Sequence, residues 1–421
     1  MKQYRVESFD KMQYLYGAAH DPLIHGIIRV SGHIDIAALK RAVSISLSAV
    51  PMLRCCFEIK PIRPRWIDRG FTGEDIVTLV TALGDEALQV QQLLSATIDI
   101  FHEPQLKLFV LRTDASDTLC IIVNHMVCDG AGLKEYLYLL ADLYSRCFAG
   151  EHEIPRPECG SRGVGQLFSR FSFIEKRRIF RLKYDASPLK AQTPYRFEGK
   201  PDAPFFLFLE ISADDLIHTK AAAKQRGATL NDMVLCAYIR TLHRSVGGGR
   251  IVMPCPVDLR KYLQEGRKTG ICNLTSNYIC DVTVAEGDPA EETLAQITRQ
   301  MQVQKESLSC LKSMLSMQLA FRAIPFFILQ SIFGNVFTMP VISYTNLGVI
   351  DQNALSFKGV RVTDACLTGA VKRVPYFQVA ICIFDGRCTL SCNMFGTPGD
   401  RAMAESFLKE VKEELLSYLS R

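Results

Sequence analysis

The stretch TLCIIVNHMVCDGAG, residues 118–132, decides the fold. Its first half is a short apolar run with β-branched residues, which is typical of a buried strand. KEYLYLLADLYSRC (134–147) follows with apolar residues at helical spacing. His125, Asp129 and Gly130 thus form an H-x-x-x-D-G pattern where a strand passes into a helix, and His125 is expected to face a cleft beyond the sheet edge. The alternative is a surface loop in which Asp129 caps the helix and Gly130 supplies a positive φ.

Strand-like and helix-like stretches alternate on both sides of this motif. Strands are predicted at IHGIIRV (24–30), LRCCFEI (53–59), LKLFVLR (106–112), FFLFLEI (205–211), RIVMPCPV (250–257) and a hairpin over 376–395 that turns at Asp385–Gly386. Helices are predicted at 34–50, 213–227, 229–246 and 402–419. This order indicates two α/β halves of similar build, joined around residues 150–200.

Length and composition place the chain among ordinary globular proteins. Its 421 residues correspond to about two or three domains. A hydrophobic content of 48% with 22% charged residues excludes disorder, collagen-like repeats and coiled coils. A net charge of +5 is too small to indicate nucleic-acid binding without a clustered patch, so no nucleic-acid partner is expected.

The 15 cysteines are scattered and form no C-x-x-C pair, which argues against zinc-ribbon and redox motifs. The first residues, MKQYRVESFDKMQ, contain no apolar stretch of the kind found in signal peptides. These features predict a cytoplasmic protein with reduced, mostly buried thiols, without disulfides and without a metal.

Two segments have an unusual charge pattern. Residues 323–350 carry no charge, and a buried core or tunnel wall is favoured there over contact with a membrane. Residues 162–190 carry eight basic side chains against two acidic ones. One interpretation is that this basic amphipathic segment binds phosphates, an acidic carrier protein or an anionic membrane. The favoured alternative is a solvated helix that lies on the body of the protein.

The motif and four further segments resemble the chloramphenicol-acetyltransferase-like superfamily. That group includes the condensation domains of non-ribosomal peptide synthetases, wax ester synthases, alcohol acetyltransferases and plant BAHD acyltransferases. The further segments follow in the expected order along almost the whole chain: PMLRCCFE (51–58), ATLNDMVLCA (228–237), PVDLR (256–260) with GICNLTSN (270–277), and SYTNLG (343–348).

Two departures from the family pattern stand out. Asn124 occupies the place where condensation domains and wax ester synthases carry the first of two adjacent histidines. Only the second histidine is needed for proton transfer in the family, and BAHD enzymes lack the first, so activity is still expected. The plant D-F-G-W-G signature is missing, which argues against a plant-type enzyme.

The resemblance implies an α/β fold of two chloramphenicol-acetyltransferase-like subdomains in a V, with an active-site tunnel between them. The N-terminal subdomain would span residues 1–160 and carry the motif. Residues 161–200 would form a basic linker, and residues 201–421 the C-terminal subdomain. No adenylation or carrier domain is recognised, so a stand-alone protein is expected.

The implied activity is transfer of an acyl group from a coenzyme A or carrier-protein thioester to a hydroxyl or amine, without a covalent intermediate. His125 would be the general base, since a histidine with a pKa near 6.5 suits this role. Asp129 either orients the imidazole as a catalytic partner or, as the resemblance suggests, turns away to pair with Arg260. Gly130 is expected to leave room for substrate beside the base.

Donors for the oxyanion are expected at Thr345 and Asn346, with Asn231 behind them, and capping roles are the alternative for both asparagines. No cofactor is expected to be bound permanently, because the co-substrate is an acyl-CoA or phosphopantetheine thioester. The partners are then a small-molecule donor and acceptor, and an acyl carrier protein is a further candidate. Two other functions stay open: peptide-type condensation between carrier-bound substrates, and a catalytically degenerate binding module that uses the same cleft.

Overall fold

The computed structural model describes residues 1–17, 21–183, 189, 192–199, 203–247, 249–264, 270–336 and 339–419. The helices in these ranges are α1 (Ser8–Tyr16), α2 (Ile36–Ala49), α3 (Gly73–Ile76), α4 (Glu86–Leu94), α5 (Gly130–Phe148), α6 (Phe173–Arg181), α7 (Ala213–Gln225), α8 (Leu230–Val246), α9 (Ala290–Glu306), α10 (Ser309–Ala323), α11 (Phe326–Val336) and α12 (Pro398–Ser417). The strands are β1 (Gln3–Arg5), β2 (Leu23–Ser31), β3 (Cys55–Glu58), β4 (Arg65–Asp68), β5 (Val77–Thr81), β6 (Leu106–Arg112), β7 (Ser116–Asn124), β8 (Ala203–Ile211), β9 (Arg250–Asp258), β10 (Thr275–Thr283), β11 (Ile342–Ile350), β12 (Arg361–Thr368), β13 (Lys372–Arg373), β14 (Phe377–Phe384) and β15 (Arg387–Gly396).

The first lobe is built on a five-stranded sheet in the order β12–β2–β7–β6–β5. β2 and β7 pair antiparallel along their whole length, with Leu23 opposite Asn124 at the end that leads into the motif. Both strands are apolar at most positions, as expected of strands covered on both faces. α2 and α5 pack together, and Leu39 of α2 and Leu137 of α5 are buried in the core of this lobe.

The second lobe contains a sheet in the order β11–β14–β15–β13, and β8 pairs with β15. The predicted hairpin is confirmed: β14 and β15 are joined by Asp385 and Gly386, both of which have positive φ. An Asp-Gly pair is favoured there because tight hairpins require left-handed backbone conformations. α12 packs on α8, and the buried rings of Phe407 and Tyr238 lie 5.6 Å apart between them.

The two halves of the chain are interleaved between the sheets. β12, which lies far beyond residue 200 in the sequence, pairs antiparallel with β2, with Leu367 opposite Gly26. The sheet that carries the motif is therefore completed by the second half of the chain. β9 and β10 form a separate two-stranded sheet, and the residues between them reach the motif loop.

The strand predicted at 53–59 begins two residues late. Pro51 opens a short 3₁₀-helix, Pro51–Arg54, and β3 starts only at Cys55. The fixed φ of proline favours the first turn of a helix, so Leu53 and Arg54 belong to that turn. The prediction of mostly buried thiols is confirmed, since 14 of the 15 cysteines are buried and Cys159 is exposed.

The basic segment predicted at 162–190 divides into two environments. Arg162 is buried and pairs with Asp10 at 3.1 Å, so it belongs to the core and not to a basic surface. Further along, α6 packs on α10 through the buried Ile179, while its arginines and the apolar side chain of Phe173 are exposed. Lys190 lies outside the described residues. The basic surface is therefore the outer face of α6.

No helix in the described ranges is both long and apolar enough to cross a membrane. The uncharged residues 323–350, of which 337 and 338 lie outside the description, contain α11 and β11. α11 has Phe326 and Leu329 buried, whereas Phe327 is half exposed. α11 therefore packs against the rest of the protein through one face, and its other face is exposed.

Candidate active site

The motif loop leaves β7 at Asn124, which is completely buried. The Asn124 amide nitrogen donates to Gln105 Oε1 at 2.8 Å, and its side-chain oxygen accepts from the backbone N–H of Met126 at 2.9 Å. Gln105 in turn donates to the Cys55 carbonyl at 3.0 Å. Asn124 therefore stabilises the turn at the end of the strand through both ends of its amide, and Gln105 is a partner that the sequence analysis missed.

Asn273 holds the imidazole of His125. His125 Nδ1 lies 3.0 Å from Asn273 Oδ1, and Asn273 Nδ2 donates to the carbonyls of His125 at 2.8 Å and Met126 at 3.3 Å. Because two carbonyl oxygens fix the position of the amide nitrogen, the amide oxygen faces the imidazole as an acceptor. Nδ1 therefore carries the proton and Nε2 holds a lone pair. The residue is partly exposed, and in the described part of the chain nothing bonds to Nε2.

The surroundings of His125 favour its neutral form. Burial is the main cause that lowers the pKa of His125 below its usual 6.5, and the Lys372 ammonium acts in the same direction. A hydrogen bond to its own carbonyl and the charge of Asp129 oppose this lowering without cancelling it. Burial also lowers the pKa of Lys372, to about 8. The imidazole is therefore neutral at neutral pH, the form in which Nε2 accepts a proton.

Asp129 faces Arg260 and not the imidazole. Its carboxylate oxygens accept hydrogen bonds from Arg260 Nη2 (2.9 Å), Arg260 Nη1 (3.1 Å), Gly132 N (2.8 Å), Leu274 N (2.7 Å) and Thr275 Oγ1 (2.8 Å). Burial alone would raise the pKa of Asp129, but the Arg260 charge and these hydrogen bonds outweigh it and hold the pKa below the usual 3.8. Of the two arrangements open from the sequence, this is the pairing with Arg260. Asp129 is therefore a positioning residue that fixes the loop and caps α5.

A second buried ion pair anchors the other side of the loop. Arg162 Nη2 donates to the carbonyls of Met126 at 3.3 Å and Val127 at 3.0 Å, and to Asp10 Oδ1 at 3.1 Å. Asp10 Oδ2 also accepts from Trp66 Nε1 at 2.8 Å. The sequence analysis counted Arg162 only as a member of a basic run, because nothing local distinguishes a buried arginine from an exposed one.

Gly130 allows the two lobes to approach each other. A Cβ at Gly130 would overlap with Leu347 Cδ2 of β11. The space that was expected to admit substrate beside the base is thus filled by Leu347. Gly130 thus marks a close approach of α5 to Leu347 of the second lobe.

The expected oxyanion donors separate into two groups. Asn346 Nδ2 donates to Asn231 Oδ1 at 2.9 Å, and Tyr344 Oη donates to the same oxygen at 3.1 Å. These bonds join Asn231 and Asn346 to each other, and within the described ranges neither bonds to the His125 loop. Thr345 lies elsewhere, beside Gly369 at the end of β12, and none of the described residues bonds to its hydroxyl.

A cavity of about 540 Å³ opens beside the motif loop. Its lining includes Met126 of the loop, Tyr14 of α1 and Gln330 of α11. The backbone N–H of His125 donates to the carbonyl of Pro22, another lining residue, at 2.7 Å. The cavity therefore adjoins the backbone of His125 through Pro22 and Met126.

Comparison with solved structures identifies the fold. The trichothecene 15-O-acetyltransferase TRI3 from Fusarium sporotrichioides superimposes with a TM-score of 0.74 at 14% identity, covering 99% of this chain and 95% of that one. The first condensation domain of the CDA synthetase gives a TM-score of 0.71 at 15% identity, covering 99% and 96%. The predicted fold is confirmed: the chain has the two-lobed α/β fold of that acetyltransferase and of that condensation domain.

Sequence comparison is less extensive. No family model matches the chain. The AMB antimetabolite synthetase AmbE from Pseudomonas aeruginosa (strain PAO1) is 24% identical over 251 residues, which is 56% of this chain. The chain spans only about an eighth of that synthetase, since the match covers 12% of its length.

Proposed function

We propose that the protein is an acyltransferase that moves an acyl group from a thioester to a hydroxyl or amine, with His125 as the general base. The arrangement of His125 and Asn273 carries this proposal. It keeps the proton on Nδ1 and leaves Nε2 neutral and without a bond from any described residue, while the next residue, Met126, lines a cavity. The two-lobed fold, shared with an acetyltransferase and with condensation domains, supports the same chemistry.

In the proposed reaction His125 Nε2 takes the proton from the acceptor hydroxyl or amine as its oxygen or nitrogen attacks the thioester carbonyl. The tetrahedral oxyanion then collapses, the carbon–sulfur bond breaks, and the thiolate receives the proton from Nε2. No acyl group is attached to the protein at any stage. The Thr345 hydroxyl, which has no described partner, is the candidate donor to the oxyanion.

His125→Ala tests the role of the base. Loss of a general base typically costs about 10²–10⁴-fold in rate, so thiol release from an acyl-CoA in the presence of pooled alcohols and amines should fall by that factor. His33→Ala is the matched control, because its side chain is exposed and contacts the Thr113 carbonyl at 3.0 Å, near the end of β7 opposite the motif. Near wild-type kcat in His125→Ala protein that melts normally would sink the mechanism. Complete absence of turnover in the wild type would favour the binding-module interpretation.

The thioester class is decided by comparing two donors that carry the same acyl group. An acyl-CoA and an acyl-phosphopantetheinyl carrier protein are offered at equal concentration, and the products are identified by mass spectrometry. Turnover of both donors, or of acyl-CoA alone, supports a small-molecule acyltransferase. Turnover of the carrier-bound donor alone supports peptide-type condensation, which the likeness to condensation domains and to a stretch of a synthetase makes the second candidate.

A further inference from the structure

The cavity beside His125 has an uneven lining. Most of its wall is apolar and is formed by Tyr14, Leu23, Ile98, Ile100, Phe101 and Met126. Two carboxyl groups, Asp21 and Asp99, also line it, and no lysine, arginine or histidine is among its described lining residues. An apolar wall with only negative charges favours a ligand that has an apolar body and a positive group.

The two carboxyl groups differ in what they already bind. Asp99 accepts from His102 Nδ1 at 2.7 Å and from the Phe101 backbone N–H at 2.9 Å, so its charge is largely satisfied. The backbone N–H of Asp21 donates to the Val371 carbonyl at 3.2 Å, but no described group donates to the Asp21 carboxylate. Of the two carboxyl groups, Asp21 is therefore the one that has no hydrogen-bond partner among the described residues.

Burial supports the same distinction. It raises the pKa of Asp21 to about 6, and Arg373 is the cation that opposes this. The Arg373 guanidinium lies 3.9 Å from the centre of the Phe395 ring, and among the described contacts it makes no hydrogen bond to the Asp21 carboxylate. Asp21 still carries its charge at neutral pH, and a charge in an apolar wall gains more from an ionic partner than one in water does.

We propose that this cavity holds the acyl acceptor and that Asp21 selects acceptors bearing an ammonium group in addition to the nucleophile that reaches His125, as in an amino alcohol. This inference rests on the proposed acyl transfer. The phosphates of coenzyme A would be repelled by Asp21 and Asp99, which places the donor on another side of the site. The ammonium group pairs with Asp21 and keeps its proton, so the second nucleophile is the group that is acylated.

The test uses three probes with the same six-carbon chain: 6-aminohexan-1-ol, hexan-1-ol and 6-hydroxyhexanoate. Binding to the wild-type protein is measured by calorimetry without an acyl donor, so the result does not depend on turnover. A charge-assisted hydrogen bond corresponds to about ten- to a hundredfold in affinity. The amino alcohol should therefore bind more tightly than hexan-1-ol by that factor, and the hydroxy acid should bind least.

Asp21→Asn should remove the preference, and Asp99→Asn, with a carboxylate already bonded to His102, should keep most of it. Equal affinity of the wild type for the amino alcohol and hexan-1-ol would overturn the proposal without any variant. A preference that survives in folded Asp21→Asn protein would overturn it as well. Turnover of hexan-1-ol with an acyl-CoA then reports on the acyltransferase itself, so its failure and the failure of the Asp21 inference are separate results.

Discussion

Removal of either partner of the Asp129–Arg260 pair should destabilise the protein and displace the motif loop together. The two side chains are only 5% and 14% exposed and come from opposite halves of the chain. Breaking a buried ion pair by removing one partner typically costs about 3–5 kcal/mol, because the remaining charge has lost its partner. We therefore expect both Asp129→Ala and Arg260→Ala to unfold at lower denaturant concentration and to lose acyl transfer.

The remaining contacts decide which variant is worse. Arg260→Ala leaves the Asp129 carboxylate with three donors, from Gly132, Leu274 and Thr275, and should lie near the lower end of that range. Asp129→Ala removes the acceptor of all these groups and the N-cap of α5, which adds about 1 kcal/mol. The loss of stability in Asp129→Ala should therefore lie at the upper end of the range of about 3–5 kcal/mol, or above it.

The double variant measures how much the two residues depend on each other. Residues in one network usually show coupling of about 0.5–3 kcal/mol, and we expect a value in the upper half of this interval. The matched control is Arg250–Asp281, which is also bonded through two nitrogens but is 55% and 30% exposed. Its coupling should stay below about 1 kcal/mol.

Three measurements complete this cycle: urea unfolding, thermal melting and acyl-transfer rate. Each is made on the wild type, the two single variants and the double variant of each pair. Additive losses at Asp129 and Arg260, equal to those of the exposed pair, would refute the buried network. If Arg260→Ala kept its activity while Asp129→Asn lost rate without losing stability, Asp129 would have to be assigned to the imidazole after all.

Three further predictions concern the base, its partner and the basic helix. Because burial lowers the pKa of His125, the acid limb of kcat/KM should lie below pH 6.5, with activity lost as the imidazole becomes protonated; a limb above pH 6.5 would contradict this. Asn273→Ala should reduce kcat about 10–10²-fold, because the imidazole tautomer is no longer fixed. Asn273→Asp should move the acid limb to higher pH, because a carboxylate stabilises the imidazolium. An acid limb that does not move would contradict the contact between residue 273 and His125. Replacing Lys176, Arg177 and Arg178 of α6 with Gln should raise KM for an anionic donor at low salt and flatten its salt dependence, whereas an unchanged KM would make α6 an ordinary solvated helix.

Most of the fold could be predicted because its strands and helices have strong local signals. β2 and β7 are apolar along most of their length, and the Asp385–Gly386 turn identifies the last hairpin. The pairing of β12 with β2 could not be predicted. Residues 361–368 have no unusual composition, and their choice of partner depends on the arrangement of the complete sheet.

The residues of the candidate site could be predicted only where they lie in the motifs that carry the family resemblance. The family resemblance suggested that Asp129 pairs with Arg260, and in the structure Arg260 Nη2 lies 2.9 Å from Asp129 Oδ1. The amide of Asn273 gave no such signal, since an isolated asparagine in a loop is more often a cap. Asn231 and Asn346 bond to each other at 2.9 Å, a contact that their local sequences did not indicate.

The partners of the motif have a common origin that explains the design of the site. His125 and Asp129 belong to the first lobe, whereas Arg260, Asn273 and Leu274 lie between β9 and β10, and Thr275 begins β10. The connection between β9 and β10 both neutralises the buried carboxylate and holds the proton on His125 Nδ1. The same connection thus holds the tautomer that the proposed reaction requires. The same set of hydrogen bonds therefore stabilises the contact between the lobes and orients the imidazole of His125. Arg260 does not touch His125, but its substitution should for this reason change the rate of acyl transfer as well as the melting temperature.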